Sequence, residues 1–217
     1  MNGRDSLTCL LIPGIDGSGP EHWQTRWAIK RADCEVLDLG DWALPERDRW
    51  VARLDRAIER RDGRPIVLVA HSLGCLLVSW WAERYPEKGG RIAGALLVAP
   101  CDVNRGHDAR LARYAPMPAA ALPFPTLMIG STNDPYASTD RLEEYAKTLD
   151  ADFVELGALG HINAASQLGG WAQGERMLEL LRAQTVPHWR ARHSRGSKRH
   201  PSVTPAVVVD LEAKRHD

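Results

Sequence analysis

The stretch that decides the fold is Pro65-Ile66-Val67-Leu68-Val69-Ala70-His71-Ser72-Leu73-Gly74-Cys75-Leu76-Leu77-Val78. Five apolar residues in a row run into a serine flanked, two positions away on each side, by Ala70 and Gly74. An apolar segment of helical length follows at once. An unbroken apolar run of this length fits a strand buried on both faces of a parallel sheet. A small–x–Ser–x–small turn between such a strand and a helix is the sequence form of a nucleophile elbow. The sharp turn crowds the residues around the serine, so Gly or Ala is expected at positions 70 and 74. The helix that follows points its unpaired N–H groups at the serine. Cys75, three residues on, is a weaker nucleophile candidate, because the elbow puts residue 72 at the apex.

Working outward, five further apolar runs alternate with amphipathic segments. Strands are expected over residues 7–12, 34–39, 65–70, 92–99, 125–130 and 152–156. Helices are expected over 20–31, 46–61, 73–85, 138–149 and 172–183, with Ser138 as an N-cap candidate. This alternation predicts a three-layer α/β/α sandwich around a six-stranded parallel sheet, in the order 2-1-3-4-5-6. The interval 100–124, with Pro116, Pro118 and Pro123, is expected to be a loop holding at most one short helix. It has no room for a lid domain, so Ser72 should be reachable from solvent.

Two more residues fall just past the ends of expected strands, where open α/β sheets bind ligands. Asp134 sits in Gly130-Ser131-Thr132-Asn133-Asp134-Pro135, and His161 in Gly157-Ala158-Leu159-Gly160-His161-Ile162-Asn163. Serine, acid, histidine is the chain order of α/β-hydrolases. Asp102, which follows the neighbouring strand, is the rival acid. The oxyanion donors should be the N–H groups of Leu73 and of Ile15, the latter on the glycine-rich loop after the first strand. Gly14, His71, Trp42, His107 and Tyr136 are candidates for lining the substrate site. His22 is expected to pack or to support the site from behind. The run Gly14-Ile15-Asp16-Gly17-Ser18-Gly19 has neither dinucleotide-fingerprint nor phosphate-loop spacing.

Composition narrows the classes. The chain has 217 residues and zero net charge. Residues 187–217 hold seven Lys/Arg against three acids, which leaves 21 basic and 25 acidic residues in 1–186. A mildly acidic body argues against nucleic-acid binding. No apolar run is long enough to span a membrane, and the first residues lack signal-peptide architecture. Cys9, Cys34, Cys75 and Cys101 show no metal-ligand spacing. A cytoplasmic protein with neither metal nor cofactor is expected, in two parts: a hydrolase domain over 1–186 and a basic, disordered tail over 187–217, dispensable for catalysis.

The motifs resemble the small serine hydrolases of the retinoblastoma-binding-protein-9-like family over roughly residues 7–182. The matching pieces are Ile12-Pro13-Gly14, Pro20-Glu21-His22-Trp23-Gln24 with Arg26-Trp27, the elbow, Asn133-Asp134-Pro135-Tyr136 and Gly160-His161-Ile162-Asn163-Ala164-Ala165-Ser166. The resemblance implies a minimal α/β-hydrolase fold with a Ser72–His161–Asp134 triad acting on a small ester or amide. A non-catalytic binding protein on the same fold is the reading from another class. The Leu-x-Cys-x-Glu pattern evoked by the family name is absent, so it supports no protein partner.

Overall fold

A computed structural model describes residues 7–61, 63–104 and 108–195. Six parallel strands form one sheet: β1 (Thr8–Ile12), β2 (Cys34–Val36), β3 (Ile66–His71), β4 (Ile92–Val98), β5 (Thr126–Gly130) and β6 (Asp152–Glu155). Their order is β2-β1-β3-β4-β5-β6, as the sequence predicts. The registers Leu10↔Leu68 and Leu68↔Ala95 put Leu68 at the sheet centre. Every residue of β3 is buried, which explains its unbroken apolar run.

Alternate residues along the strands feed two cores. Leu10, Leu68, Ala70 and Leu97 face α2 (Arg47–Glu59), α3 (Leu73–Arg84) and, further along the sheet, α5 (Thr139–Leu149). Cys9, Val67, Val69 and Val98 face α1 (Trp23–Lys30) and α6 (Ala172–Arg195). Between β4 and β5 stands the four-residue helix α4 (Ala109–Ala112), capped by Asp108, whose carboxylate accepts the Arg110 N–H at 2.8 Å. The segment around it is anchored by buried Leu111, Tyr114, Leu122 and Phe124 rather than raised as a lid. No helix among the described residues is long and apolar enough to cross a membrane.

Three expectations need correction. The second strand ends at Val36, yet Leu37 and Leu39 still bury their side chains from the loop that follows. The first helix begins at Trp23 rather than residue 20, because His22 caps it. The third concerns the boundary at 186. Helix α6 continues to Arg195, passing through Pro187. Trp189 is 4% exposed, and its Nε1–H donates to the Gly90 carbonyl at 2.9 Å. A buried indole with its N–H satisfied ties residues 187–195 to the domain. The remainder of the expected tail, with Val207-Val208-Val209, lies outside the described residues.

Candidate active site

Strand β3 ends at His71, and α3 starts at Leu73. Ser72, between them, has φ 54° and ψ −124°. A non-glycine residue at positive φ is held there only by its surroundings. Here the sheet supplies them: the Ser72 N–H donates to the Val98 carbonyl at 3.0 Å. The turn needs glycine at two contacts. A Cβ on Gly74 would come within 2.5 Å of the Ile12 carbonyl oxygen and 2.7 Å of that of Pro13. Alanine therefore does not fit at 74, contrary to the sequence expectation, although it does at 70. A Cβ on Gly14 would lie 2.8 Å from the Ser72 Cβ and 3.2 Å from the Leu73 nitrogen. The loop after β1 thus presses its backbone directly against the elbow.

The structure brings the three candidate residues together. The Ser72 hydroxyl donates to His161 Nε2 at 2.9 Å. His161 Nδ1–H donates to the Asp134 carboxylate at 2.8 and 3.0 Å. The Asp134 side chain is wholly buried, and that of His161 is 8% exposed. Asp102, the rival acid, instead accepts hydrogen bonds from the Arg141 Nε–H at 3.2 Å and the Asn104 N–H at 3.0 Å.

Groups that sequence reasoning did not assign hold this geometry. The Ser131 hydroxyl accepts the Leu159 N–H at 2.9 Å, and Asn133 Oδ1 accepts the Gly160 N–H at 2.6 Å. The acid loop therefore fixes the histidine loop. Beyond it, His71 Nε2–H donates to the His161 carbonyl at 2.9 Å, and Trp23 Nε1–H to that of Ile162 at 2.8 Å. The sequence signal for these bonds is the Gly-Ser-Thr-Asn-Asp run itself: short polar side chains beside the acid are bracing material.

These residues open onto a cleft of about 240 Å³ whose walls include Ile15, His22, His71, Ser72, Tyr136 and His161. Of the expected lining residues, His71 and Tyr136 are in place, and Ile15, expected as an oxyanion donor, also stands in the wall; the Tyr136 ring centre lies 4.4 Å from that of His161. Trp42 is not part of the wall. It stands behind the loop, packing edge-on to Trp50 and backing Gly17, while its carbonyl accepts the Asp16 N–H at 2.8 Å. Gly14 likewise acts from beneath, by letting the loop close on Ser72. His107 lies outside the described residues. His22, expected to pack or to support the site from behind, packs against Trp23 and His71 and also lines the cleft. On the rim, Arg110 makes a bidentate pair with Asp16, 2.9 Å for each bond.

Electrostatics separate the site's groups by role. Burial, then the neighbouring His161, pushes the His22 ring down to about 4 and the His71 ring well below its ordinary value. Both are therefore neutral at pH 7. Burial lifts the Cys75 thiol well above its usual range and Cys101, which touches Ser72, up to about 12. Neither sulfur is a thiolate nucleophile at neutral pH. All four cysteines are free and buried, and among the described residues no His/Cys/Asp/Glu cluster could hold a metal ion. Among the same residues, the N–H groups of Leu73 and Ile15 have no hydrogen-bond acceptor.

Residues 9–180 match the family model described as serine hydrolase. Among solved structures, a YdeN-like hydrolase from Pectobacterium atrosepticum is 32% identical with a TM-score of 0.69, covering 81% of this chain and 92% of its own. The ydeN gene product of B. subtilis is 16% identical with a TM-score of 0.61, covering 82% and 99%. Est1E from Butyrivibrio proteoclasticus is 15% identical with a TM-score of 0.60, covering 82% and 90%. No curated protein matches the chain. With the family model spanning the sheet from β1 into α6, and a third of positions shared with one solved hydrolase, the chain belongs to the serine hydrolase family.

Proposed function

We propose that the protein cleaves small carboxylic esters through an acyl-enzyme, with Ser72 as nucleophile, His161 as general base and acid, and Asp134 as the group that orients the imidazole. The observation that carries this reading is the unbroken hydrogen-bond chain from the Ser72 hydroxyl through His161 to a fully buried carboxylate. Serine attacks poorly at neutral pH unless a base takes its proton as it attacks. His161 Nε2 is at the distance for that transfer and then returns the proton to the departing alcohol. Asp134 keeps the imidazole proton on Nδ1 and stabilises the imidazolium that forms.

The tetrahedral intermediate needs donors for its oxyanion. The unpaired N–H groups of Leu73 and Ile15 flank Ser72 and suit that role. Loss of one such donor costs about 2.7–4 kcal/mol in the transition state. No step calls for a cofactor. The finer kinship with the retinoblastoma-binding-protein-9-like branch rests on the Pro-Glu-His-Trp and Gly-His-Ile-Asn-Ala-Ala-Ser pieces. A fluorophosphonate probe should label the protein at Ser72, and Ser72→Ala should abolish labelling. A panel of short esters and aminoacyl amides then sets the substrate class. Labelling unaffected by Ser72→Ala defeats the proposal.

A further inference from the structure

His22 lines the cleft, yet the triad makes no use of it. It is an unusual helix cap. Its Nδ1 accepts the Gln24 N–H at 3.2 Å, a task that Ser, Thr, Asp or Asn performs at least as well. What histidine adds is a second nitrogen. A ring nitrogen that accepts a hydrogen bond carries no proton, so the neutral imidazole carries its proton on Nε2. Burial keeps the ring neutral, its pKa lowered to about 4.

That Nε2 is buried and has no hydrogen-bond partner among the described residues. His22 as a whole is 4% exposed. Buried donors are almost always paired, so an orphan in the wall of a cleft calls for a partner from outside the chain. The same cleft wall includes Gly17 and Gly19, which contribute no side chain to it. The ring also has a place in the reaction's geometry. It stands edge-on to His71 with centres 4.8 Å apart, and His71 in turn is 4.9 Å from His161. This row of rings extends from His161, the residue that protonates the leaving group.

We propose that His22 determines specificity. Its Nε2–H donates to a second acceptor oxygen of the substrate, an ether or carbonyl oxygen in the leaving group of the ester. The inference rests on the hydrolase reading above and deepens it: the preferred substrates are esters of oxygen-bearing alcohols rather than of plain alkyl alcohols.

The test uses two isosteric esters, 2-methoxyethyl butanoate and butyl butanoate, which differ only by O for CH₂ in the alcohol. Each kcat/KM is divided by the ester's rate with hydroxide, which removes intrinsic reactivity. The full-length protein should prefer the methoxyethyl ester by about tenfold, mainly through KM, as expected for one added hydrogen bond to a buried donor. His22→Ser keeps an oxygen to cap α1 but deletes the donor, and should bring the ratio to about one. His22→Gln sets an amide N–H near the position of Nε2 and should retain most of the preference.

A wild-type ratio of one overturns the inference, as does a preference that His22→Ser leaves intact. Equal loss on both esters with the ratio unchanged reduces His22 to packing. A His22-dependent preference found instead between ethyl methoxyacetate and ethyl butanoate overturns the leaving-group assignment. If His22→Ser does not fold, the wild-type ratio and His22→Gln decide the matter. Fluorophosphonate labelling run alongside separates the two readings. Labelled protein with a ratio of one refutes the role of His22 alone. Protein that neither labels nor turns over refutes the hydrolase reading, and this inference with it.

Discussion

Acid should destabilise this protein well above the pH at which its carboxylates protonate, and His22 supplies a stated share. Its ring titrates at about 4 in the fold against 6.5 for the ordinary side chain. Between those values the unfolded chain binds a proton that the folded chain refuses. Unfolding free energy therefore rises with pH across the window, and falls as pH drops from about 6.5 towards 4. At about pH 4.5 the unfolded ring is almost fully protonated and the folded ring about one-quarter so, which works out to about 2.5 kcal/mol lost relative to pH 7. That is a large part of a typical stability of about 5–15 kcal/mol. His71, also depressed by burial, acts in the same direction. Asp33 and Asp108 are held below 3.8 by their arginine partners, so their contributions disappear only at lower pH. The assay is urea unfolding followed by tryptophan fluorescence at pH 7 and 4.5, for the wild type and His22→Asn. Asparagine keeps an acceptor for the Gln24 N–H and does not titrate. The wild type should lose about 2.5 kcal/mol more than the variant over this interval. Equal losses in both proteins refute the claim that His22 is buried as a neutral ring.

Asp134→Asn should leave the fold intact and lower kcat by about 10⁴, because the amide stabilises the wrong histidine tautomer; steady-state kinetics on a short ester checks it. Gly74→Ala forces a Cβ against two backbone carbonyls, and should destabilise by about 1–3 kcal/mol, read as a lower melting temperature. Trp189→Ala should cost about 3–5 kcal/mol in urea unfolding, and truncation after Val186 should destabilise comparably. An unchanged midpoint in either would show that α6 ends functionally near residue 186. Activity on an ester should rise smoothly through its critical micelle concentration, since among the described residues no lid stands over Ser72; an abrupt increase there contradicts the open cleft.

The sheet was legible because two-sided burial leaves a simple trace: β3 and β4 are almost wholly apolar, and such runs have few other uses. The three candidate residues, Ser72, Asp134 and His161, were legible for a related reason. Ser72 follows directly on β3, and Asp134 and His161 stand four and six residues past the ends of β5 and β6, so short loops carry them from the sheet. Three features were not legible. The last two turns of α6 mix Pro, His, Arg and Trp without amphipathic rhythm, and the landing of Trp189 on Gly90 helps make them part of the domain. Trp42 follows a strand, as a cleft residue should. However, the Asp16–Trp42 backbone bond turns its ring to the rear of the loop. His22 precedes Trp23 in an evident helix, and sequence cannot distinguish a packed ring from one that meets the cleft, since the difference lies in where Gly17 and Gly19 lead the chain.

The pairing of α1 with α6 on one face of the sheet bears on how the chain acquires its structure. These helices are separated by about 140 residues but are stitched together: Trp27 Nε1–H donates to the Gly170 carbonyl at 2.7 Å, Arg31 meets Glu179 at 2.7 Å, and Arg182 meets Asp33 at 2.9 Å. The opposite face is assembled from neighbours, with α2 and α3 bracketing β3. Contacts between distant parts of a chain carry a larger closure entropy and form later. During synthesis, then, one side of the sheet can be covered while the side of Val67, Val69 and Val98 has α1 but lacks α6 until residues around 171–189 have left the ribosome. The nascent protein passes through a half-covered state with apolar surface exposed, the kind that holdases bind and that aggregates when it persists. In refolding experiments with pulsed hydrogen exchange, amides of β3 and α3 are expected to gain protection before those of α1.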